Sequence, residues 1–352
     1  MNLVQKTAPY LRKPTARVSR FMGDVSVALL PLVVFAIYSH GLSAVWILLA
    51  AVLSMVLTEY VYNQIIDMLN GEKFKLKNKS FTISNMSIVT SGLIYGLTLS
   101  DVIPLQVVII GGVVGTFLAK LIFGGLGQNI FNPAAFARVF VALSFGGAIA
   151  YEAYVDADAG ATVLGVLAND LFDSSVTEYY SYWTMFSGIG MPGSLGETSA
   201  LLIIVGGLYL FLRKSFDIFV PLTVIGTVAL LSGTIALFHE DLGLWFPYTM
   251  VFSGGIMYAA VFMATDPITI PITRPGRVYF AFGVGALTLL IRIFGQLPEG
   301  VVFAIVFMNM FTPAIDYPKW TTNKFTFRSI AIFAAIVILT AAIATAGVHY
   351  AL

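Results

Sequence analysis

Long apolar runs separated by short polar segments occupy almost the whole chain. Many of these runs approach the length that a bilayer requires, about 20 apolar residues in an α-helix. They lack the alternation with period two that the strands of an outer-membrane barrel need. The runs predict helices at 23–40, 44–68, 82–99, 104–122, 134–150, 198–213, 217–238, 247–264, 278–295, 299–315 and 328–349. The pattern therefore predicts an all-α polytopic membrane protein with about 10 or 11 transmembrane helices.

The composition agrees with this fold class and narrows the chemistry. Of the 352 residues, 58% are hydrophobic and 11% are charged, whereas soluble domains carry about 25% charged residues. The sequence contains no cysteine, which excludes thiolate metal sites, iron–sulfur ligation by this chain alone, disulfides and thiol catalysis. The three histidines, His40, His239 and His349, are too scattered along the sequence to indicate a haem pair or a zinc site.

The positions of the charged residues predict how the helices are oriented. With the N-terminus in the cytoplasm, the bases fall in the N-terminal segment and in every second loop. Of the 19 bases, Arg292 alone falls at an outer helix end, and the outer loops carry acids such as Asp101, Glu240 and Asp241. This is the positive-inside pattern. It would hold for any inner-membrane protein, so it predicts topology rather than function.

The chain divides into five predicted parts, two of which are membrane halves of about five helices each. The two halves are predicted to be related because Asn129-Ile-Phe-Asn-Pro-Ala-Ala135 and Asn309-Met-Phe-Thr-Pro-Ala-Ile315 share their asparagine, aromatic and Pro-Ala positions. Such prolines occur in discontinuous helices around transporter sites and in packing kinks, and both interpretations stay open. The parts are a cytoplasmic N-terminal segment (1–22), a first half (23–150), an extracytoplasmic loop (151–197), a second half (198–318) and a C-terminal extra helix (319–352).

Two polar segments at predicted cytoplasmic helix ends are candidate ligand sites. The first, Phe123-Gly-Gly-Leu-Gly-Gln-Asn-Ile-Phe-Asn-Pro133, is rich in glycine, which lets a backbone approach a planar ligand or a neighbouring helix closely. The second, Met263-Ala-Thr-Asp-Pro-Ile-Thr269, has the signal of an Asx-Pro turn, and its clustered oxygens would equally suit a ligand or an ion. The candidate residues in these segments are Asn129, Asn132, Thr265 and Asp266.

Two further candidate sites contain a glutamate. Gly193-Ser-Leu-Gly-Glu-Thr-Ser199 places Glu197 and Thr198 in the predicted first turn of the sixth helix. There they would either cap free N–H groups or form an oxygen-rich outer site for a flavin or a cation. Glu59 lies inside the second apolar run, where an ionisable side chain is a candidate for an ion pathway. The alternative is a paired residue near the helix end or at a subunit interface.

A polar island, Asp156-Ala-Asp-Ala-Gly-Ala-Thr162, lies between long apolar runs. It belongs to the longest stretch without Lys or Arg, which runs from Val139 to Leu212 and does contain acids. A stretch with many acids and no bases is typical of the non-cytoplasmic side of a membrane protein. A turn of small residues that ends in the hydroxyl of Thr162 is therefore a candidate for covalent modification on the outer side.

Taken together, these segments resemble one protein family. It comprises the D subunit of the Rnf ion-translocating electron-transfer complex and the B subunit of the sodium-translocating NADH:quinone oxidoreductase. The resemblance covers about residues 20 to 318, and several ordered motifs carry it. These are Gly124-Gly-Leu-Gly-Gln-Asn-Ile-Phe-Asn-Pro133, Asp156–Thr162, Gly193–Ser199, Met263-Ala-Thr-Asp-Pro267, Pro298-Glu-Gly300 and Asn309–Tyr317.

The resemblance implies two flavins. The family carries FMN esterified through its phosphate to the threonine of an Asp-x-x-Ser/Thr-Gly-Ala-Thr motif, which a dedicated flavin transferase modifies. The matching residues here are Asp156, Gly160, Ala161 and Thr162, while the family's Ser/Thr position is occupied by Ala159. Members are also associated with non-covalent riboflavin in the membrane part, which the resemblance places near the segments 129–133 and 265–266.

The function that the resemblance implies is that of a membrane flavoprotein subunit of a ferredoxin:NAD+ oxidoreductase. Such a translocase subunit relays electrons in the cell membrane of a prokaryote, couples them to Na+ or H+ translocation and is inactive alone. Its implied partners are the ferredoxin-side and NAD-side subunits, a second flavin subunit and other membrane subunits; no nucleic acid is expected. The short N-terminal segment favours the Rnf branch. A stand-alone channel or secondary transporter with two related halves, or a structural scaffold, would fit the composition equally well.

Overall fold

The computed structural model of the protein describes residues 18–71, 86–155, 163–164, 167, 181–239, 242–295, 300–317 and 323–351. Throughout these ranges the regular structure is helical. The predicted all-α fold class is confirmed. The helices are α1 (Val18–Leu69), α2 (Ser87–Leu97), α3 (Leu105–Ala119), α4 (Pro133–Val155), α5 (Tyr182–Ser187), α6 (Ala200–Arg213), α7 (Phe219–Phe238), α8 (Trp245–Phe252), α9 (Ile256–Tyr258), α10 (Arg274–Phe294), α11 (Gly300–Ile315) and α12 (Phe327–Ala351).

The helix lengths agree with a polytopic membrane protein. Five helical segments of the described chain are long and apolar enough to cross a bilayer, and α8 with its continuation would form a sixth. The long helix α1 contains the first two predicted spans, because Gly41 at φ 63° and ψ −140° breaks the helical run where the sequence predicts a boundary. The shorter apolar helices are α2, α6, α11 and the segment Pro133–Gly146 of α4. The orientation relative to the membrane stays a prediction.

Glycines set the closest helix contacts in the first half. Gly92 of α2 lies against α1, and a Cβ atom at Gly92 would be 2.7 Å from the Cα of Val52. Gly115 of α3 lies against α4, where a Cβ atom would be 2.5 Å from the Cβ of Ala137. Small residues at such crossings let helices pack closely in a bilayer. Close packing matters there because an apolar side chain is about as favourable against lipid as against another helix. At these two crossings the helices of the first half therefore pack with their backbones close together.

Replacing Gly92 with alanine is expected to lower the stability of the chain. The new methyl group would collide with the backbone of α1, and overpacking of this kind destabilises by about 1–3 kcal/mol. The matched control is Gly226→Ala in α7, where nothing lies within 4 Å of the added carbon. Thermal unfolding in detergent should show a lower midpoint for Gly92→Ala and an unchanged or higher one for the control. Equal midpoints for both variants would contradict the packing described here.

The second half contains a broken helix that the sequence pattern does not reveal. The predicted continuous helix 247–264 is wrong, because α8 ends at Phe252 and α9 begins at Ile256 with a bend of 55° between them. Gly254, at φ +65°, makes the turn at this break. After α9 the chain continues as a π-helix, Ala259–Met263. Breaks and π-turns of this kind in membrane helices are frequent at functional sites.

The C-terminal helix α12 forms as predicted and packs against α7 and α10. Its Phe333 contacts Tyr279 and Phe282 of α10 edge-on, and the Tyr279 hydroxyl donates a hydrogen bond to the Ser329 carbonyl at 2.8 Å. In the most apolar 18-residue segment of this helix, only 6% of the residues are buried. The rest of its surface is apolar and faces away from the bundle, as is typical of a helix in contact with lipid.

A buried carboxylate joins the two halves at one end of the bundle. Asp24 of α1 accepts hydrogen bonds from the Arg213 guanidinium at 3.1 Å and from the Ser215 hydroxyl at 2.5 Å. Arg20, one turn earlier on α1, lies 3.9 Å from the same carboxylate. Because Arg213 and Ser215 lie at the end of the first helix of the second half, these bonds fix α1 against α6. We refer to this end, which the sequence predicts to be cytoplasmic, as the Asp24 end.

Candidate functional site

A cleft opens at the Asp24 end between the first and second halves. About 60 Å³ of it is enclosed, and the whole space of about 700 Å³ includes the part that is open to solvent. Segments from α1, α2, the loop before α4 and the loop after the π-helix form its walls. The two polar segments that the sequence singles out meet here although they are far apart in the chain, as the 131-residue separation of the bonded pair Asn132 and Met263 shows. The candidate residues among the lining are Asn129, Asn132, Thr265 and Asp266.

Asn132 connects three structural elements in the floor of the cleft. Its Oδ1 accepts hydrogen bonds from the backbone N–H groups of Ala134 and Ala135 at 3.0 and 3.3 Å and so caps α4. Its Nδ2 donates to the Met263 carbonyl at 3.2 Å, and its own backbone N–H donates to Asn309 Oδ1 at 3.2 Å. At 5% exposed, Asn132 uses both of its side-chain groups on buried backbone partners, so it organises the cleft.

The two similar motifs contact each other through these asparagines. Asn309 of α11 donates from Nδ2 to the Thr269 carbonyl at 3.2 Å, and Thr312 donates to the same carbonyl at 2.9 Å. The first motif spans the N-terminus of α4, which begins at Pro133, whereas the second lies inside the C-terminal part of α11. The motifs therefore occupy different positions relative to their helices, and a repeat relation between the halves stays a prediction.

The glycine-rich segment before α4 brings polar atoms to the cleft wall. Gly124, Gly125 and Gly127 have φ angles of 109°, 90° and 93°, a region that side chains with a Cβ atom rarely adopt. The loop carries Asn129, 6% exposed, whose Nδ2 donates to the Phe131 carbonyl at 3.1 Å. Its Oδ1 is buried and has no hydrogen-bond partner among the described residues. A buried acceptor without a partner is the kind of atom that a ligand N–H would satisfy.

Thr265 and Asp266 follow the π-helix on the opposite wall. The Thr265 hydroxyl donates to the Val261 carbonyl at 2.6 Å. Asp266 accepts from the Ile268 N–H and the Thr269 hydroxyl, both at 3.3 Å. The Asx turn that the sequence allows is therefore present, and the same residues line the cleft. Burial raises the pKa of Asp266 from 3.8 to about 6.

Asp266 is expected to take up a proton as the pH falls through about 6. The folded chain then binds this proton more tightly than the unfolded chain, so this group makes folding less favourable as the pH rises from about 4 to 6. The C=O infrared band of the protonated carboxylic acid should lose amplitude as the pH rises through about 6 in wild type. This loss of amplitude should be absent in Asp266→Asn. Asp316→Asn, at a different acid, should keep the titration. An unchanged titration in Asp266→Asn would contradict the assignment.

A buried ion pair that the sequence pattern does not indicate lies beside the cleft. Glu59 of α1 is 1% exposed and Lys120, just after α3, is 2% exposed. The Lys120 Nζ lies 3.1 Å from Glu59 Oε1 and 3.2 Å from Oε2. The charge pattern treats Lys120 as a cytoplasmic loop residue, and the structure instead buries it. Glu59 is therefore paired in the structure, its partner also lines the cleft, and its place in an ion pathway stays a prediction.

The second predicted carboxylate site lies at the opposite end of the bundle. The predicted first turn at Glu197 and Thr198 is wrong, because Ser199 caps α6 by accepting from the Leu202 N–H. Glu197 instead lies against the helix break, with its Oε1 2.5 Å from where a Cβ atom would stand on Gly255. The Thr198 hydroxyl is buried with no hydrogen-bond partner in the described part of the chain.

Arg292 holds the broken helix at this end. It is 5% exposed, and its guanidinium donates to the Met250 carbonyl at 2.8 Å and to the Ser253 carbonyl at 3.3 Å. These carbonyls lie at the C-terminal end of α8, where the α-helical hydrogen bonds run out. In the charge pattern of the sequence, Arg292 is the single base at an outer helix end. In the structure its side chain is buried and binds the end of α8. Glu197 lies near enough to interact with it electrostatically.

The motif Asp156–Thr162, with the predicted attachment residues Asp156, Gly160, Ala161 and Thr162, lies outside the described residues. The residues that follow it are described: Val163, Leu164 and Leu167 are buried. The side chain of Leu164 lies directly against Gly254 and fills the space that a Cβ atom there would need. The chain directly after the motif is therefore anchored on the break between α8 and α9, at the end opposite the cleft.

The cleft has a mixed apolar and polar lining. It combines apolar side chains such as Phe216 and Phe262 with amide, hydroxyl and carboxyl groups at its floor. Such a mixture of apolar walls and a few placed polar groups is typical of cofactor sites. The Asn129 Oδ1 atom, which has no partner among the described residues, is an acceptor for a ligand N–H group.

The fold defines a polytopic helical membrane protein, and its helices and loops enclose a polar cleft at the Asp24 end. The chain belongs to the NQR2, RnfD, RnfE family, which matches it over residues 4–325. The family that the motifs predict is thereby confirmed.

Several relatives are named as subunits of ion-translocating redox complexes. The D subunit of the proton-translocating ferredoxin:NAD+ oxidoreductase complex of Clostridium ljungdahlii is 37% identical over 323 residues, 88% of this chain and 92% of that protein. The D subunit of the Na+-translocating ferredoxin:NAD+ oxidoreductase complex of Acetobacterium woodii is 33% identical over 320 residues, 90% of this chain and 93% of that protein. The B subunit of the Na+-translocating NADH-quinone reductase of Chromohalobacter salexigens is 35% identical over 240 residues, 66% of this chain and 58% of that protein.

Proposed function

We propose that this chain is the D-type membrane subunit of an ion-translocating ferredoxin:NAD+ oxidoreductase and relays electrons through bound flavin. The observation that carries the proposal is the cleft, where the two predicted polar segments come together around Asn132. Family membership and relatives that match over about nine-tenths of both chains support it. The two relatives are named for different ions, so the pumped ion, H+ or Na+, is left open.

The first flavin of the proposal is FMN, attached through its phosphate to the hydroxyl of Thr162. Support comes from the family motif, which matches at Asp156, Gly160, Ala161 and Thr162. A flavin transferase would make this bond. The buried anchor at Leu164 would hold the chain after the attachment residue against the break between α8 and α9. The predicted topology puts this end outside the cytoplasm.

The second flavin of the proposal is riboflavin, held without a covalent bond in the cleft. Asn129 and Thr265 would bind it, while Asn132 would keep the wall in place. A flavin supplies one-electron and two-electron redox chemistry, and the protein supplies binding and electrostatics. The apolar lining residues would shield part of the flavin from water, and Asn129 and Thr265 would offer it hydrogen-bonding groups. Together the two sites would place one redox cofactor near each end of the bundle.

Ion coupling in this proposal is electrostatic. Each electron that enters a low-dielectric part of the protein adds a negative charge, and a cation taken up nearby offsets it. The other members of the complex would deliver electrons from ferredoxin and pass them on to NAD+. This chain is therefore expected to be inactive alone, as a part of a translocase.

The proposal is tested by counting flavins in the purified complex. Wild type should carry one flavin on this chain that survives denaturation, and acid extraction of the complex should release non-covalent flavin. Asn129→Leu should lose the released flavin and keep the covalent one, because it removes the acceptor in the cleft without touching Thr162. The matched control is Gln128→Leu in the same loop, outside the cleft lining. A wild-type chain without any flavin, in a host that has the flavin transferase, would contradict the proposal and favour the transporter interpretation.

A further inference from the structure

Asp24 is a buried charged residue that the proposed function leaves without a task. It is 5% exposed, and its carboxylate accepts hydrogen bonds from Arg213 Nε at 3.1 Å and from the Ser215 hydroxyl at 2.5 Å. Burying an ion pair costs desolvation free energy, and apolar residues of similar size stabilise a fold equally well or better. An ionisable residue at this place in a membrane helix is therefore a candidate for function as well as for stability.

The contacts of Asp24 lie directly behind the wall of the cleft. Ser215, whose hydroxyl binds Asp24, lines the cleft together with the next residue, Phe216. On α1, Met22 and Val25 precede and follow Asp24 in the sequence and line the same cleft. Asp24 thus connects the wall that α1 provides to the wall that the segment after α6 provides.

This connection lies at the mouth of the cleft rather than at its floor. The four lining residues beside Asp24 are half-buried, whereas Asn132 in the floor is 5% exposed. Farther from the mouth α1 and α6 meet again, because a Cβ atom on Gly206 would be 2.9 Å from the Ala28 carbonyl oxygen. Gly206 precedes Arg213 by about two helical turns. The two walls are therefore joined by a close helix crossing and, nearer the mouth, by the Asp24 contacts.

We propose that Asp24 is a positioning residue that holds the mouth of the cleft narrow and so sets how fast a ligand enters and leaves. In each opening, the carboxylate gives up its bonds to Arg213 and Ser215, and the walls separate about the crossing at Gly206. Hydrogen bonds to a charged group are stronger than neutral ones, so loss of the charge raises the share of open molecules. The ligand is the flavin of the proposed function, so the consequence for flavin exchange rests on that function, whereas the opening does not.

The test measures access to the cleft by labelling, a readout that needs no flavin. The chain contains no cysteine, so Ser87→Cys, at a lining residue that is 4% exposed, gives this chain a single thiol in the cleft. The purified complex with this substitution is treated with a water-soluble maleimide, and the label on this chain is followed with time on a denaturing gel. Addition of Asp24→Asn should speed the labelling about tenfold, the effect of weakening one hydrogen bond to a charged group.

The matched control is Asp217→Asn in the same segment after α6. It breaks the 2.7 Å ion pair with Arg277, and neither of these two residues lines the cleft. The labelling rate at Ser87→Cys should therefore stay at the wild-type value. An equal rise of the rate in Asp217→Asn and Asp24→Asn would overturn the proposal, because any broken ion pair at this end would then have the same effect.

Arg213→Gln keeps the test decisive if Asp24→Asn does not fold. It should also speed the labelling, and Arg213→Lys, which keeps the charge, should restore a rate near that of wild type. Exchange of the extractable flavin for labelled riboflavin should quicken in the same variants. Labelling at the wild-type rate in a folded Asp24→Asn or Arg213→Gln variant would overturn the role of Asp24 and leave the proposed function standing. A wild-type complex without extractable flavin, in which Asp24→Asn still speeds the labelling, would overturn the proposed flavin site and support the role of Asp24 at the mouth.

Discussion

Replacing Thr162 with valine is expected to reduce ferredoxin-driven ion transport to the background of vesicles that lack the complex. Valine has nearly the shape of threonine but lacks the hydroxyl oxygen that the proposed phosphoester needs. Without that bond the proposed FMN at the outer end would be missing, and electron transfer through the complex would stop. The measurement is Na+ or H+ uptake into inverted membrane vesicles supplied with reduced ferredoxin and NAD+.

The matched control for this prediction is Thr162→Ser, which keeps a hydroxyl at the same position. It should retain covalent flavin and a substantial part of the transport. Complex assembly, followed by co-purification of the other subunits, should be equal in both variants, because neither substitution alters a residue of the described helix contacts. Wild-type transport in Thr162→Val would contradict the proposed relay.

Replacing Asn132 with leucine is expected to destabilise the chain and to abolish binding of the proposed flavin in the cleft. Leucine cannot cap α4, which removes about 1 kcal/mol. It also leaves the buried Met263 carbonyl without its donor, which costs about 1–3 kcal/mol more. A loss of about 2–4 kcal/mol should be visible as a clear fall of the thermal midpoint, since single substitutions rarely exceed this range.

The control for Asn132 separates its two tasks. Asn132→Ser keeps an oxygen that can cap α4 but is too short to reach Met263, so it should lose roughly half as much stability as the leucine variant. Unfolding followed by fluorescence, with extractable flavin measured in parallel, distinguishes the two. Equal stability of wild type and Asn132→Leu would show that the hydrogen bonds described here do not organise the cleft.

The helices and the family can be predicted from the sequence because long apolar runs and ordered motifs are local signals. Predicted ends such as 68 in α1 and 213 in α6 agree with the structure within a residue or two. The two polar segments around Asn132 and Asp266 are also visible as local clusters. The sequence does not show that the two segments meet in one cleft. Asn132 and Met263 are 131 positions apart and are joined by a hydrogen bond to a backbone carbonyl, and no sequence spacing predicts such a contact.

The errors have physical causes. The charge pattern counts Lys120 among loop bases because it ends an apolar run, and its partner Glu59 is 61 residues away. The break between α8 and α9 is hidden because Ser253-Gly-Gly255 interrupts an apolar run without adding charge. Glu197 resembles a cap residue since its position before a helix suits that task, yet Ser199 lies nearer the helix start and makes the bond.

The most direct test of the account is the mass of one tryptic peptide from wild-type protein made in a host with the flavin transferase. Cleavage after Arg138 and Arg213 releases the peptide Val139–Arg213, which contains Thr162 and no internal Lys or Arg. The account predicts a fluorescent peptide that carries one FMN, with the modification on Thr162 in its fragment spectrum. An unmodified peptide would contradict the covalent relay and make a channel or transporter with two halves the better interpretation.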